Sequence, residues 1–308
     1  MDPRRRSMSF VVVVLCLVGL GAGVYYGISQ LTAVFAAGTP TPVAASNAGG
    51  DVAGLIERND GAGVRALAAR GARFDAPIGA GRGALTPLML AASQGRRDAL
   101  AALIECGANV NARSAEGRTA LMYAAGWGDA ACVRLLLDAG ARENERSDDG
   151  MTPLMFAAAR GEAASLTALR NAGADVNARN KWGQTALLSA ATAGDPAKIV
   201  ALLDAGADVN ATDRDGMTAI HLAAAGDAPL EALRALLDAN ADATIPNSEG
   251  VTPLMSAAYR ADEAKVRLLL AAGAAREARD RSGRTAADWA ASRDDDLGRA
   301  IAALLRTP

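Results

Sequence analysis

Histidine is nearly absent from this chain. Its 308 residues include one, His221, and only three cysteines, Cys16, Cys106 and Cys132. Zinc sites, catalytic triads and most acid–base dyads need more of these residue types. The sequence therefore predicts no enzyme, and no catalytic, metal-binding or cofactor-binding residues. Aromatic residues are scarce as well, at 4%, although 51% of the chain is hydrophobic. Alanine and leucine carry the apolar content, and such small side chains suit closely stacked helices better than a sandwich or barrel. Net charge is missing too, since 32 basic and 34 acidic side chains leave −2. That balance offers no field to draw in nucleic acid through its phosphates.

One long stretch lacks charge altogether. Arg4, Arg5 and Arg6 precede an apolar run from Phe10 to Ile28, and the next charged residue is Asp51. A helix over 10–28 rises about 28 Å, close to the ~30 Å hydrocarbon thickness of a bilayer. The arginines mark residues 1–9 as cytoplasmic and the remainder as exported, and Tyr25 and Tyr26 lie where amphipathic rings favour the far interface. Two readings stay open. Segment 10–28 is either a transmembrane signal-anchor or a signal peptide, with Val34-Phe35-Ala36 as a small-residue cleavage site. The first places the chain in the inner membrane as a single-pass protein with its body periplasmic. The second makes it soluble in the periplasm. Residues 29–50 end in GTPTPVAASNAGG, a flexible linker.

Beyond the linker the chain repeats. Thr86, Thr119, Thr152, Thr185, Thr218, Thr252 and Thr285 recur at a period of 33 residues, with one step of 34. Threonine caps a helix, and proline follows it at Pro87, Pro153 and Pro253, where the first helical turn accepts proline. Leucine two residues after most of these threonines, with Ala-Ala at five and six, makes one apolar stripe. A second helix ends at Gly107, Gly140, Gly173, Gly206 and Gly273, where glycine takes the left-handed conformation. In the longer unit Asn240 stands in for glycine, and the extra residue is expected between Pro229 and Leu236.

Units such as TPLMLAASQG…LIECGANVNA resemble the ankyrin motif, in register, over about residues 85–308. The resemblance implies an all-α solenoid of stacked helix-turn-helix units with outward loops, preceded by the N-terminal transmembrane or signal helix. It implies six repeats over 85–283, a degenerate N-capping unit over 51–84 and a C-terminal capping repeat over 284–308. It also implies a protein-binding function without catalysis: a membrane-tethered scaffold, or, after signal cleavage, a soluble periplasmic adaptor or inhibitor. The partner would be an unidentified protein of the cell envelope, with the chain itself monomeric.

In that geometry the concave face takes residues seven and eight after threonine, together with the turn tips. The candidate partner-binding residues are Gln94, Trp127, Arg160, Tyr259 and Arg260, with Lys181 and Trp182 at a tip. Leu90, Tyr123 and Phe156, four after threonine, add an apolar strip. Trp, Tyr and Arg dominate interface energetics. His221, three after its threonine, is expected to hydrogen-bond neighbouring backbone, and Cys106 and Cys132 to be structural thiols too far apart to pair.

Overall fold

The computed structural model describes residues 49–79 and 81–307. Among these no helix is long and apolar enough to cross a membrane. The predicted anchor at 10–28 lies outside the described residues, as does Cys16.

The described chain is helical, without strands beyond a single bridge between Ile78 and Leu85. Its helices come in consecutive pairs: α1 (Gly49–Glu57) with α2 (Gly61–Ala69), α3 (Pro87–Ser93) with α4 (Arg97–Glu105), α5 (Ala120–Trp127) with α6 (Ala130–Asp138), α7 (Pro153–Arg160) with α8 (Ala163–Asn171). The series continues with α9 (Ala186–Ala193) and α10 (Pro196–Leu203), α11 (Ala219–Ala225) and α12 (Leu230–Asp238), α13 (Pro253–Arg260) and α14 (Glu263–Ala271), and α15 (Ala286–Ala291) and α16 (Asp296–Arg306).

Each first helix from α3 onward begins at a threonine N-cap. Thr86, Thr152, Thr185, Thr252 and Thr285 accept from the backbone N–H three residues on, satisfying one of the amides a helix start leaves orphaned. Thr119 departs, its buried hydroxyl having no partner. The paired alanines, from Ala91 and Ala92 to Ala257 and Ala258, are at most 1% exposed. Their small side chains let first helix approach first helix, as α5 does α7, far more closely than second helices approach each other. The stack therefore bends with the first helices inside. At Gly161 this approach is close enough that a Cβ would strike the carbonyl of Ala125 in the preceding pair.

Second helices end as the pattern requires. Gly107, Gly140, Gly173, Gly206 and Gly273 lie at φ 81° to 93°, and Asn240 takes the same left-handed conformation at φ 62°. The extra residue, however, lies in the turn between α11 and α12, at 226–229, and not beyond Pro229, which caps α12. An insertion inside α12 would rotate its buried Ala232, Leu233 and Leu236 by about 100°. A turn absorbs it at little cost.

Asparagines staple neighbouring pairs. Asn111, Asn144, Asn177 and Asn210 accept from the backbone N–H of Arg142, Asp175, Asp208 and Asp242 in the next unit, at 2.8–3.0 Å. Asn111, Asn144 and Asn177 also donate to the carbonyls of Gly140, Gly173 and Gly206. Each such bond contributes on the order of 1 kcal/mol. Nearest-neighbour coupling of this kind is what holds a solenoid together. The loop tips are joined likewise, by Lys181 N–H to Asp149 O, Arg214 N–H to Trp182 O and Ser248 N–H to Asp215 O.

Candidate partner-binding face

The inner side of the stack is built from the C-terminal halves of the first helices and from the loop tips. Most of what it presents is small. Its large side chains gather at two places.

The first lies across α5 and α7. Trp127, the last residue of α5, is tilted against Tyr123 (ring centres 5.8 Å apart) and against Phe156 of α7 (5.6 Å). Two guanidiniums share its ring: Arg160 at 5.5 Å from the centre and Arg118 at 5.8 Å. Arg118 also lies 5.4 Å from the Phe156 ring and pairs with Glu116 at 3.0 Å. Burial and the neighbouring Arg118 cation both push the pKa of Arg160 down. Burial pushes the Tyr123 phenol up, with Ser114 and Arg118 pulling against it. Trp127 is partly exposed, while its indole N–H is buried without a hydrogen-bond partner. Leaving such a donor unmet costs about 1–3 kcal/mol.

The second place lies across α13 and α15. Tyr259 meets Trp289 edge-on at 5.8 Å. Trp289 donates from Nε1 to Asp280 at 2.9 Å, and Arg284 covers its ring at 4.1 Å while pairing with the same carboxylate. Arg260 pairs with Asp227, and Arg293 pairs with Asp295 and donates to the carbonyl of Tyr259.

The predicted residues therefore separate. Trp127 and Arg160 come together. Tyr259 and Arg260 belong to the other cluster, beyond α9 and α11, and Gln94 lies one pair earlier, accepting from Arg96. Lys181 and Trp182 occupy the tip between α8 and α9, with Lys181 exposed and Trp182 partly buried, packed on the core and held by Asn180. The expected apolar strip is mostly interior. Phe156 is 0% and Tyr123 6% exposed, so only Leu90 of the three reaches solvent appreciably. Tyr259 is likewise only 5% exposed. Inner helices that approach on alanine close over the larger side chains beside them.

Three contributors had no sequence signal. Arg118 precedes its capping threonine and reaches across to the next pair. Lys198 and Lys265, at the start of α10 and α14, are buried and donate to carbonyls of the preceding pair, Ala158 O at 3.4 Å and Gly226 O at 2.8 Å. These carbonyls lie at or just beyond the end of a first helix, where a cation is favoured.

His221 acts as its position implied. Its Nε2 donates to the carbonyl of Val251 in the next unit at 3.1 Å, which leaves Nδ1 to accept from the Thr218 hydroxyl at 2.7 Å and amide at 3.2 Å. Burial pushes its pKa down to about 4. Cys132 and Cys106 are free thiols, and burial pushes Cys132 up to about 12, far from a reactive thiolate. Among the described residues no cluster of histidine, cysteine and carboxylates could hold a metal.

The chain matches the family described as "Ankyrin repeats (3 copies)" in overlapping blocks, 56–147, 88–180, 129–213, 154–247 and 220–306. Among solved structures it is similar to the human ASB11 ankyrin repeat domain. That match has 28% identity and a TM-score of 0.67, covering 73% of this chain and 99% of that one. No curated protein sequence matches it significantly. Ankyrin repeats serve as protein–protein interaction scaffolds and are typically non-enzymatic. On the strength of the repeat pattern, the stacked helix pairs and the family match, this chain belongs to the ankyrin-repeat family.

Proposed function

We propose that the chain is a membrane-tethered scaffold whose protein partner seats on the inner side of the stack, at Trp127 and Arg160. The observation that carries this reading is Trp127 itself. It is a large, partly exposed aromatic flanked by guanidiniums on a face most of whose side chains are small. Rigid aromatic and arginine anchors of this kind account for most of the energy of protein interfaces. Lys181 and Trp182 at the neighbouring tip extend the same face.

The tether rests on the N-terminal sequence. Three arginines before an apolar run place the repeats on the exported side, which is the periplasm if the membrane is a bacterial inner membrane. A soluble periplasmic adaptor or inhibitor, released by cleavage at Val34-Phe35-Ala36, is the second reading. The mass of the mature chain separates the two.

The docking reading is tested by photo-crosslinking in intact cells from position 160 or 181, against position 200, where Val200 on α10 is 45% exposed on the outer side. A shared adduct from 160 and 181 that is absent from 200 is the expected result. An equal adduct from 200, or none from the inner positions, would sink it.

A further inference from the structure

Five residues before each capping threonine from Thr119 onward stands a short polar side chain: Ser114, Ser147, Asn180, Asp213, Asn247 and Asp280. In every case one side-chain oxygen accepts from the backbone N–H four residues on, which shapes the loop tip. The four longer side chains have a second polar atom to place. Asn180 Nδ2 donates to Met151 Sδ at 3.2 Å, and Asn247 Nδ2 donates to Met217 Sδ at 3.4 Å. Both sulfurs belong to the residue just before the capping threonine of the preceding loop. Asp280 Oδ2 accepts from Arg284 and Trp289 within its own unit. Asp213 is the exception: Oδ1 accepts from Asp215 and Met217, while Oδ2 has no bonding partner among the described residues. Asn180, Asn247 and Asp280 are each 6% exposed, whereas Asp213 stands more open.

The place that Met151 and Met217 fill for the two asparagines is filled for Asp213 by Gln184. Gln184 is 3% exposed, and its Oε1 already accepts from Asn180 Nδ2 at 3.0 Å. An amide oxygen has a second lone pair, but an ionised carboxylate has no proton to give it. A protonated one does, and then has the donor that asparagine carries in the same place. Burial pushes the Asp213 carboxyl up to about 6; Asp215 adds to the rise, while the backbone N–H groups of Met217 and Asp215 and the Arg179 cation oppose it. Arg179, on the preceding loop, is bonded to the carbonyls of Gly183 and Thr212. Arg214 beside Asp213 is exposed, and Glu249 on the following loop acts on Asp215. His221 on α11 stays neutral down to about pH 4.

We propose that Asp213 is a proton-operated latch between the α9–α10 and α11–α12 pairs: protonated, its Oδ2–H donates across the loop tips to Gln184 Oε1, and ionised, it leaves that contact unmade. The folded-state value lies above the ordinary 3.8, so the folded chain takes up the proton before the unfolded one. The stabilisation is therefore complete below 3.8 and is lost as pH rises through about 6. The joint lies between the Trp127 cluster and the Tyr259 cluster, so closing the latch fixes how the two halves of the inner side are set.

The test is hydrogen exchange of the full-length chain at about pH 7 and pH 5, corrected for the intrinsic dependence of exchange on pH. The reporter is the Arg214 amide, which bonds to Trp182 O across this joint. The control is the Lys181 amide, bonded to Asp149 O one joint earlier, where Asn180 already reaches Met151. Protection at Arg214 should rise about tenfold from pH 7 to pH 5, with Lys181 unchanged. Asp213→Asn places a permanent donor there, as in the neighbouring loops, and should keep Arg214 protected equally at both pH values. Gln184→Leu removes the acceptor and should cut the rise to about threefold or less. Should that variant lose Lys181 protection through misfolding, Gln184→Met, the residue of the equivalent places and a weaker acceptor, takes its part. No rise in the parent, a rise shared by Lys181, or a rise that persists in Asp213→Asn overturns the proposal. A full tenfold rise without Gln184 overturns the latch as well, leaving only relief of a buried charge. A fall in protection toward pH 5 would mean that ionised Asp213 accepts from the Gln184 amide, the reverse of what is proposed.

Discussion

Near the start of the stack Trp127 lies between Tyr123 and Phe156 under two guanidiniums; near its end Trp289 lies against Tyr259 under one. The residue types are the same, but the polar accounting is not. Trp289 is 1% exposed, and its N–H reaches the Asp280 carboxylate that also holds Arg284. Trp127 keeps part of its ring in solvent and has no acceptor for its N–H. One tryptophan is closed into a satisfied network that pins the last helix pair. The other retains surface and an unmet donor, as a contact awaiting a partner would. Aromatic content alone does not distinguish the two; satisfaction of their polar atoms does.

The largest expected effect comes from emptying the closed site. Trp289→Ala should cost about 3–5 kcal/mol, the range for deleting a buried large aromatic. Because coupling in a stack is between neighbours, the loss should appear first as fraying of α15 and α16. Hydrogen exchange of those helices, set beside urea denaturation of the whole chain, measures it. A uniform loss of protection from α1 to α16 would mean the end pair is not an independent staple.

A milder change attacks only the polar accounting. Trp289→Phe keeps a ring but removes the donor to Asp280, and a hydrogen bond to a charged acceptor is worth about 2 kcal/mol. Chemical denaturation should register that loss. A cost below about 0.5 kcal/mol would show that the ring alone matters, so that the distinction between the two sites is one of burial only.

Acid separates the sites in another way. Burial raises the pKa of Asp280, but the Arg284 amide and guanidinium and the Trp289 N–H more than offset this and hold it below the ordinary carboxylate value of 3.8. A depressed folded-state pKa means that the unfolded chain takes up the proton first. The stabilisation is present above 3.8 and is lost as pH falls through the folded value. His221 works in a higher window. Its pKa is 6.5 ordinarily and about 4 in the fold, so its contribution declines as pH falls from 6.5 toward 4. Variants with a single tryptophan distinguish these steps. With Trp289 alone, emission should shift below pH 4; with Trp127 alone, no separate step should appear there. A Trp289 shift centred above pH 5 would assign the transition to His221 instead.

Local pattern explains what the sequence disclosed. The threonine caps, the alanine pairs and the left-handed glycines are each decided within a few residues, so the period and helix pairing followed from the chain itself, including Asn240 in place of a glycine. What escaped depends on neighbours a full unit away. Phe156 and Tyr259 were expected at the surface, but their exposure depends on how closely consecutive first helices pack. Nothing local marks Lys198 and Lys265, since the carbonyls they reach, Ala158 O and Gly226 O, belong to the preceding unit. The inserted residue, expected between Pro229 and Leu236, lies instead in the turn before α12, because Pro229 caps that helix and an insertion within it would turn its buried face away. At the site itself, Trp127 and Arg160 were identifiable as inner-face residues, but their stacking, and the part of Arg118 in it, is a contact between units.

The smallest effect is also the one that most sharply opposes the two tryptophans. Trp127→Phe keeps an aromatic ring against Tyr123 and Phe156 while removing a buried N–H that has no acceptor. Since that donor costs free energy where it stands, its loss offsets the reduced ring area. Stability should stay within about 0.5 kcal/mol of the parent or rise slightly. Trp289→Phe, chemically the same change, should destabilise. Parallel urea titrations of the two variants give the comparison directly. A loss of more than about 1.5 kcal/mol for Trp127→Phe would show that the indole N–H is already bonded in the folded chain, by water or by a rotated neighbour. Trp127 would then be a closed site like Trp289. If stability holds but capture by the partner weakens, the unmet N–H is a contact reserved for the complex, since the partner would supply the acceptor that the stack does not.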